Sequence, residues 1–490
     1  MFYKDYIKPK FVTYIKKISK IFYPNNGDLE NAVMVDETIF REYDIRGIYN
    51  ETLFNRDAYL IGRGIATFLE SRNIEKKVVV GYDGRLSSKP LLQNLVRGLV
   101  KSGCYVTNIG LSPTPIVSYA LTVGEYDVGI MITGSHNPKE HNGFKISLKN
   151  EPLVGTDLQE LLKILENQKF IDGIGRETII QDIHNRYLSE ILNSLDILGN
   201  LNVVWDVGNG VTSIMIKKAI KRLPGIHHVI FDGIDGRFPN RPPDPTVDEN
   251  LTEIKKVIKE RGCDFGIAFD GDGDRVVIVT HKGQMLYGDQ LLAIFAKSIL
   301  ENTPNSTVIS DIKASLSVVN YIKQIGGKHV FEKVGHSVIH KTLKYLNASL
   351  AGEFSGHFFF ADRWYGFDDG IYAALRFLEL ASNAKNNGEY IFANIVNGFN
   401  TPEISITCDD RMKFLVIEEL KQYLDTKNIE YISIDGIRVE SNIGWWLIRA
   451  SNTQAKLTLR IEGTSVENLD KLKMDVYKIL NTVCKLDFVI

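Results

Sequence analysis

Cysteine is scarce in this chain, and the four that occur, Cys104, Cys263, Cys408 and Cys484, lie far apart with no C-x-x-C pair. That spacing excludes both a zinc-knuckle framework and a disulfide-stapled scaffold, and makes the cytoplasm the expected location. Surplus charge is lacking too: 58 lysines and arginines face 60 aspartates and glutamates, a net charge of −2. Without a basic excess, nucleic acid is not an expected partner. No uninterrupted apolar run approaches the ~18 residues of a membrane span, and no secretory signal with an apolar core and small-residue cleavage site opens the chain. What remains is the composition of an ordinary globular protein, 44% hydrophobic and 24% charged, at a length of 490 residues that suggests about three or four domains.

The first stretch stands apart. Lys4, Lys8, Lys10, Lys16, Lys17 and Lys20 are interleaved with Phe2, Tyr3, Tyr6, Phe11, Tyr14, Phe22 and Tyr23. Two readings follow: a basic amphipathic helix lying on anionic lipid or a partner, or a frayed leader on the first domain. Pro9 and Pro24 interrupt the pattern and favour the leader.

Beyond it an α/β rhythm sets in. Asp57–Arg72 and Ser88–Ser102 carry apolar residues at helical spacing, and Lys77–Tyr82 and Cys104–Ile109 read as strands between and after them. The rhythm recurs with the strand Leu201–Asp206 and helix Val211–Arg222, and again with the strand Ser306–Ser310 and helix Ser315–Ile325. The expected fold is therefore three related α/β domains with mixed sheets, then a smaller α+β domain with strands at Gly444–Ala450 and Lys456–Ile461. The expected divisions are a leader at 1–35 and domains at 36–185, 186–287, 288–400 and 401–490.

Four short stretches carry chemistry. Thr133-Gly134-Ser135-His136-Asn137-Pro138 follows the apolar strand Val128–Ile132, so Ser135 should sit where the chain leaves the sheet, the place where ligands bind in open α/β sheets. Read alone it is equally a strand-ending turn with a solvated serine. Asp270-Gly271-Asp272-Gly273-Asp274-Arg275 lies between two apolar strands. Alternate residues of an extended loop face one side, so three carboxylates converge and call for a hard divalent cation such as magnesium, manganese or calcium. An EF-hand is excluded, because its sixth and twelfth positions need Gly and Glu where this chain has Arg275 and His281. Gly352-Glu353-Phe354-Ser355-Gly356-His357 gathers a carboxylate, a hydroxyl and an imidazole, a set suited to sugar hydroxyls or proton transfer. Arg449-Ala450-Ser451-Asn452-Thr453 joins a guanidinium to small hydrogen-bonding groups that suit a phosphate. Arg46, before Gly47, is a further candidate anion clamp.

Together, and in this order, these stretches resemble the α-D-phosphohexomutases, most closely their bacterial phosphomannomutase/phosphoglucomutase branch. The resemblance runs from about Thr38 to the C-terminus. It includes Phe40–Gly47, Gly81-Tyr82-Asp83-Gly84-Arg85, Gly143-Phe144-Lys145, Asp311-Ile312-Lys313, Gly335-His336-Ser337 and the stretch from Arg363 to Gly370. It implies four domains around a central cleft and reversible exchange of hexose 1-phosphate with hexose 6-phosphate, of mannose and/or glucose. The phosphoryl group would be carried by Ser135, with a hexose 1,6-bisphosphate as intermediate and activator.

By position, Asp270, Asp272 and Asp274 match the Mg2+ ligands, with an oxygen on Ser135 completing the set. Arg46, His136, Lys145, Arg275 and His357 match residues around the reacting groups, with proton transfer falling to Lys145 or His357. Glu353 and Ser355 match contacts to the sugar hydroxyls; Tyr43, Lys313 and His336 match further substrate contacts. Arg449, Ser451, Asn452 and Thr453 match the phosphate loop, and the small fourth domain is the part expected to close over the site. One departure stands out: Gln454 is followed by Ala455 where the family has proline, which should loosen that turn. A glucosamine-type mutase is disfavoured by Phe354 and by Ser451-Asn452-Thr453. A catalytically silent sugar-phosphate-binding protein is disfavoured because the serine and all three aspartates are intact.

Overall fold

The computed structural model describes residues 34–149, 151–180, 182–384, 398–409, 411–451 and 455–484. The basic leader, Asn452 and Thr453 thus lie outside the described residues. Four sheets follow one another along the chain. The first contains β1 (Ile45–Ile48), β2 (Lys77–Tyr82), β3 (Tyr105–Leu111), β4 (Val128–Ile132), β5 (His141–Leu148), β6 (Glu151–Pro152) and β7 (Arg176–Ile179). The second contains β8 (Asn202–Asp206), β9 (Ile226–Ile230), β10 (Phe265–Phe269), β11 (Val276–Thr280) and β12 (Met285–Leu286). The third contains β13 (Thr307–Asp311), β14 (Lys328–Glu332), β15 (Leu350–Gly352) and β16 (Phe358–Phe360).

One arrangement is repeated in all three. The strand orders β3-β2-β4-β5, β9-β8-β10-β11 and β14-β13-β15-β16 are superimposable in sequence. In each, the first three strands to appear run parallel and the fourth is antiparallel. The sheets are mixed, as expected. Each four-strand set therefore has a tight reversal between its third and fourth strands, at the carboxyl end of the parallel strands where the strand order changes direction. Those three reversals hold Ser135, the Asp270–Arg275 loop and the Glu353–His357 loop.

The rhythm came from strands buried on both faces: β4 and β10 are buried at every position. Of the antiparallel fourth strands, β11 is buried at every position and carried the same signal, but β5 and β16 did not. In β5 the polar residues His141, Asn142, Lys145 and Ser147 interrupt the apolar pattern, and β16 has only three residues.

Tyr119, Leu188, Trp205, Phe265, Phe358 and Phe377 belong to one apolar core that runs through the first three units. The fourth sheet, built from β17 (Phe399–Asn400), β18 (Ile404–Thr407), β19 (Ile437–Ser441), β20 (Gly444–Ala450) and β21 (Lys456–Gly463), is wholly antiparallel. Its core is separate, with Leu420, Trp446, Leu459 and Val476 at the centre.

Candidate functional site

Ser135 leaves β4 in a left-handed backbone conformation, φ 50°, which an L-residue other than glycine or asparagine rarely adopts and which costs about 1–2 kcal/mol. The turn buries the serine and aims its hydroxyl across the boundary to the second unit, where Oγ donates to Asp270 Oδ2 at 3.0 Å. His136 Nδ1 lies 3.3 Å from the same oxygen. The loops approach so closely that a Cβ on Gly271 would stand 2.6 Å from the Ser135 carbonyl oxygen, so only glycine fits there. Arg46 Nη1 donates to Gly134 O at 2.9 Å and pairs with Asp44 through Nη2, which places its guanidinium against the serine loop.

Asp270, Asp272 and Asp274 are fully buried, and one oxygen from each lies within 4.8 Å of the others. Lys145 Nζ bonds Asp272 Oδ2 at 2.9 Å and also pairs with Asp274, while Thr114 Oγ1 donates to Asp272 at 2.6 Å. Burial, then the charges of Asp272 and Asp274, push the Asp270 carboxyl well above the usual carboxylate range. Burial acts on Asp272 in the same direction, but Lys145 outweighs it and holds that group at about 2. Asp274, equally buried, is held at about 2 chiefly by Lys145 and His357. Asp272 Oδ1 and Asp274 Oδ1 are buried without a hydrogen-bond partner. Hard oxygen donors converging on one point, two of them unsatisfied, can hold a divalent metal ion.

The third reversal meets the second. Arg275 and His357 form a β-bridge, and Arg275 Nε donates to His357 Nε2 at 2.9 Å. An arginine N–H pointing at Nε2 makes that nitrogen the acceptor and leaves the imidazole proton on Nδ1. Nδ1 faces Asp368 Oδ2 at 3.1 Å and Asp274 Oδ1 at 3.8 Å. Burial would raise Asp368, but His357 and His336 beside it hold it below the usual carboxylate range. His336 opens the helix His336–Tyr345 and its ring lies 5.4 Å from that of His357. Burial lowers the pKa of His336, and burial together with Arg275 and Arg46 lowers that of His136 far more, so both rings are neutral near pH 7. Glu353 Oε1 accepts from Gly335 N at 2.7 Å, which leaves its second oxygen 4.0 Å from His357 Nε2, and Ser355 is half-buried two residues on. A cavity of about 210 Å3 between the first and third units is lined by Tyr43, Lys145, His336 and Asp368, among others.

The fourth domain reaches this centre through Asp435. Its Oδ2 accepts from Arg449 Nε at 3.0 Å and from Val334 N at 3.1 Å, and Val334 O accepts from Tyr43 OH at 3.0 Å. Arg449 and Ser451 are buried. Lys313 Nζ pairs with Glu403 at 3.1 Å and lies 5.3 Å from the Phe354 ring, beside the sugar loop. Two residues outside the motifs thus shape the site, Asp435 against Arg449 and Glu403 against Lys313, and Asp368, inside the Arg363–Gly370 motif but given no role there, stands against His357. Asp435-Gly436 carried a turn signal that could have drawn attention to it; Glu403 carried none.

Family models match the chain in four consecutive parts: phosphoglucomutase/phosphomannomutase alpha/beta/alpha domains I, II and III over residues 37–172, 185–283 and 287–398, and the C-terminal domain over 403–479. A phosphomannomutase/phosphoglucomutase of Pseudomonas putida is 42% identical over 442 residues, 90% of this chain and 95% of that protein. A phosphoglucomutase of Neisseria gonorrhoeae is 39% identical over 90% of this chain and 96% of its own length. The crystal structure of a phosphoglucomutase/phosphomannomutase family protein from Burkholderia thailandensis superimposes with a TM-score of 0.88 at 34% identity, covering 93% of this chain and 99% of that one. The loops that meet around Ser135 and Asp270 therefore lie in a chain that belongs, along nearly its whole length, to the phosphoglucomutase/phosphomannomutase family, the α-D-phosphohexomutases.

Proposed function

We propose that this phosphohexomutase interconverts the 1- and 6-phosphates of mannose and/or glucose, with Ser135 carrying the phosphoryl group. The observation that supports this most is the strained, buried turn that sets Ser135 Oγ 3.0 Å from Asp270, against the acidic triad. Asp270, Asp272 and Asp274, with an oxygen on Ser135, would hold a magnesium ion, which when bound neutralises charge on phosphoryl oxygens. Arg275, Arg46 and Lys145 bring fixed positive charge to the same place, the main requirement of phosphoryl transfer. His136 is neutral beside the nucleophile and orients it.

Proton transfer to and from the sugar hydroxyl falls to Lys145 or His357. Glu353 and Ser355 bind the sugar hydroxyls, and Tyr43, Lys313 and His336 add further contacts. Arg449, Ser451, Asn452 and Thr453 grip the phosphate that is not reacting. Phosphoserine gives its group to the monophosphate, the 1,6-bisphosphate turns around, and its other phosphate returns to Ser135. Added bisphosphate recharges a discharged enzyme and so acts as activator. We place domain divisions near residues 185, 287 and 400, and the activity in the cytoplasm; among the described residues no helix is long and apolar enough to cross a membrane.

The test is an assay of purified protein with glucose 1-phosphate and with mannose 1-phosphate, each with and without the matching bisphosphate. Conversion of at least one sugar to its 6-phosphate, stimulated by bisphosphate, is the expected result. No conversion of either by a protein that bears phosphoserine would reject the substrate class.

A further inference from the structure

The Gly81–Arg85 stretch has no part in the chemistry above, yet Arg85 reaches across to the serine loop and bonds its backbone. Its side chain is wholly buried. Nη2 donates to Ser135 O at 2.7 Å and Asn137 O at 2.6 Å, and Nη1 to Pro138 O at 2.6 Å and His141 O at 3.0 Å. Nε donates to Asp83 Oδ2 at 3.2 Å. All five N–H groups of the guanidinium are therefore engaged, four of them on carbonyls of the turn that carries the nucleophile.

The network closes on itself. Asp83 Oδ2 also accepts from Thr133 Oγ1 at 2.8 Å, and Thr133 Oγ1 in turn accepts from Ser135 N at 2.7 Å. Serine is thus gripped on its carbonyl by Arg85 and on its amide, through Thr133, by the partner of Arg85. Such a double grip is what a left-handed serine needs, since its own preference is to relax out of that conformation. The second unit reaches the same point: the Phe238 ring lies 5.1 Å from the Arg85 guanidinium and touches the Gly271 position of the acidic loop.

The second unit repeats the device. Asp206 ends the equivalent strand β8, and Arg241 donates Nε to Asp206 Oδ2 at 2.8 Å and Nη2 to Phe269 O, the residue before Asp270, at 2.7 Å. An Arg-Asp pair at the end of the first parallel strand thus fixes the reversal after the third strand in both units that supply the reacting groups.

From this geometry we propose that Arg85, capped by Phe238, is a positioning residue for phosphoryl transfer: it holds the serine loop in the turn that aims Ser135 Oγ at the acidic loop. The proposal rests on the mutase reading. Sugar and phosphate binding are assigned to other loops, so loss of Arg85 lowers kcat and leaves KM in place.

The experiment compares wild type, Arg85→Lys, Arg85→Met and Phe238→Leu. It follows Ser135 phosphorylation over time by intact mass and peptide mapping after addition of glucose 1,6-bisphosphate, with kcat and KM for glucose 1-phosphate and a thermal melt for each protein. A lysine keeps the charge but cannot reach four carbonyls. For Arg85→Lys the phosphorylation rate and kcat fall together by about 100-fold, as for a misplaced nucleophile, while KM stays within about threefold and phosphorylation still reaches one group per chain. Phe238→Leu gives a smaller fall, about tenfold, in the same two rates. Wild-type rates, or a wild-type rate constant with a reduced final extent that marks an unfolded fraction, overturn the proposal. Should both Arg85 variants fail to fold, an unchanged rate in Phe238→Leu overturns it. Absence of phosphate on wild-type Ser135 instead rejects the mutase reading beneath it.

Discussion

The boundary between the first and second units and the boundary between the third and fourth domains are both polar and buried, but their unsatisfied atoms differ. At the first, Ser135, Thr114 and Lys145 are bonded to the acidic loop, and the orphaned Asp272 Oδ1 and Asp274 Oδ1 belong to one cluster of acceptors. At the second, Arg438 donates to Ile312 O and Ala314 O at 2.8 and 2.7 Å, Arg460 bonds Lys313 O, and Ser315 donates to Glu462 at 2.8 Å. Here Arg438 Nη2, Arg460 Nε, Trp445 Nε1 and Glu462 Oε2 are left without hydrogen bonds, donors and acceptor together, along a seam where Ile312, Trp445 and Leu447 share a small apolar cluster and Arg438 stacks on Phe331 and Trp445. Each unsatisfied buried group costs about 1–3 kcal/mol. The first boundary thus gathers acceptors that a cation could satisfy. The second mixes unsatisfied donors with an unsatisfied acceptor, and is the boundary expected to repack as a sugar phosphate enters and leaves.

The comparison breaks most severely at the nucleophile. Ser135→Ala should lower turnover by roughly 10^4-fold, because it removes the hydroxyl that faces Asp270, while the Thr114 hydroxyl at the same loop is bonded to Asp272 instead. Steady-state rates with glucose 1-phosphate check this; a loss of less than tenfold would show that Ser135 is not the carrier. Chelation comes next: excess chelator should cut turnover on the order of 10²- to 10³-fold and added magnesium should restore it, while unchanged rates would make the acidic loop structural.

Moving to the other boundary, Arg449→Ala should cost about 2–4 kcal/mol, or roughly 30- to 1000-fold in kcat/KM, for glucose 1-phosphate and mannose 1-phosphate alike and in both directions. Phosphorylation of Ser135 should persist in that variant. Loss of one sugar or one direction only would mean that this loop reads identity rather than anchoring a phosphate. The smallest effect is expected at the seam itself, where Arg438→Met should raise KM by roughly 3- to 10-fold, about 1 kcal/mol, and leave single-turnover transfer from Ser135 within about twofold. A fall in the transfer step instead of a rise in KM would erase the distinction between the two boundaries.

Much of this was legible in the residues. The α/β rhythm exposed three units because their central strands are apolar throughout, and the alternation of Asp270, Asp272 and Asp274 between apolar strands pointed to the convergence of carboxylates that the structure shows. That Ser135, Asp270 and Glu353 occupy the same reversal of one repeated topology was hidden, since the three loops share no sequence and the antiparallel strand after Ser135 is interrupted by polar residues while that after Glu353 has only three residues. Arg85 was visible as part of a motif, but its role depends on four carbonyls 50 to 56 residues away, which no local pattern encodes. Asp435 and Glu403 were hidden for the same reason: each matters through the arginine or lysine it faces, on a different strand or domain.

The central claim is that one phosphoryl group resides on Ser135 and passes to the sugar. It is tested most directly by charging the protein with bisphosphate, mapping the phosphate by mass spectrometry, and mixing the charged protein with hexose 1-phosphate in a single turnover. The account predicts one phosphate per chain, on Ser135, leaving at a rate no slower than kcat as bisphosphate appears. A phosphate on another residue, or one that stays on Ser135 while the sugar turns over, would contradict it.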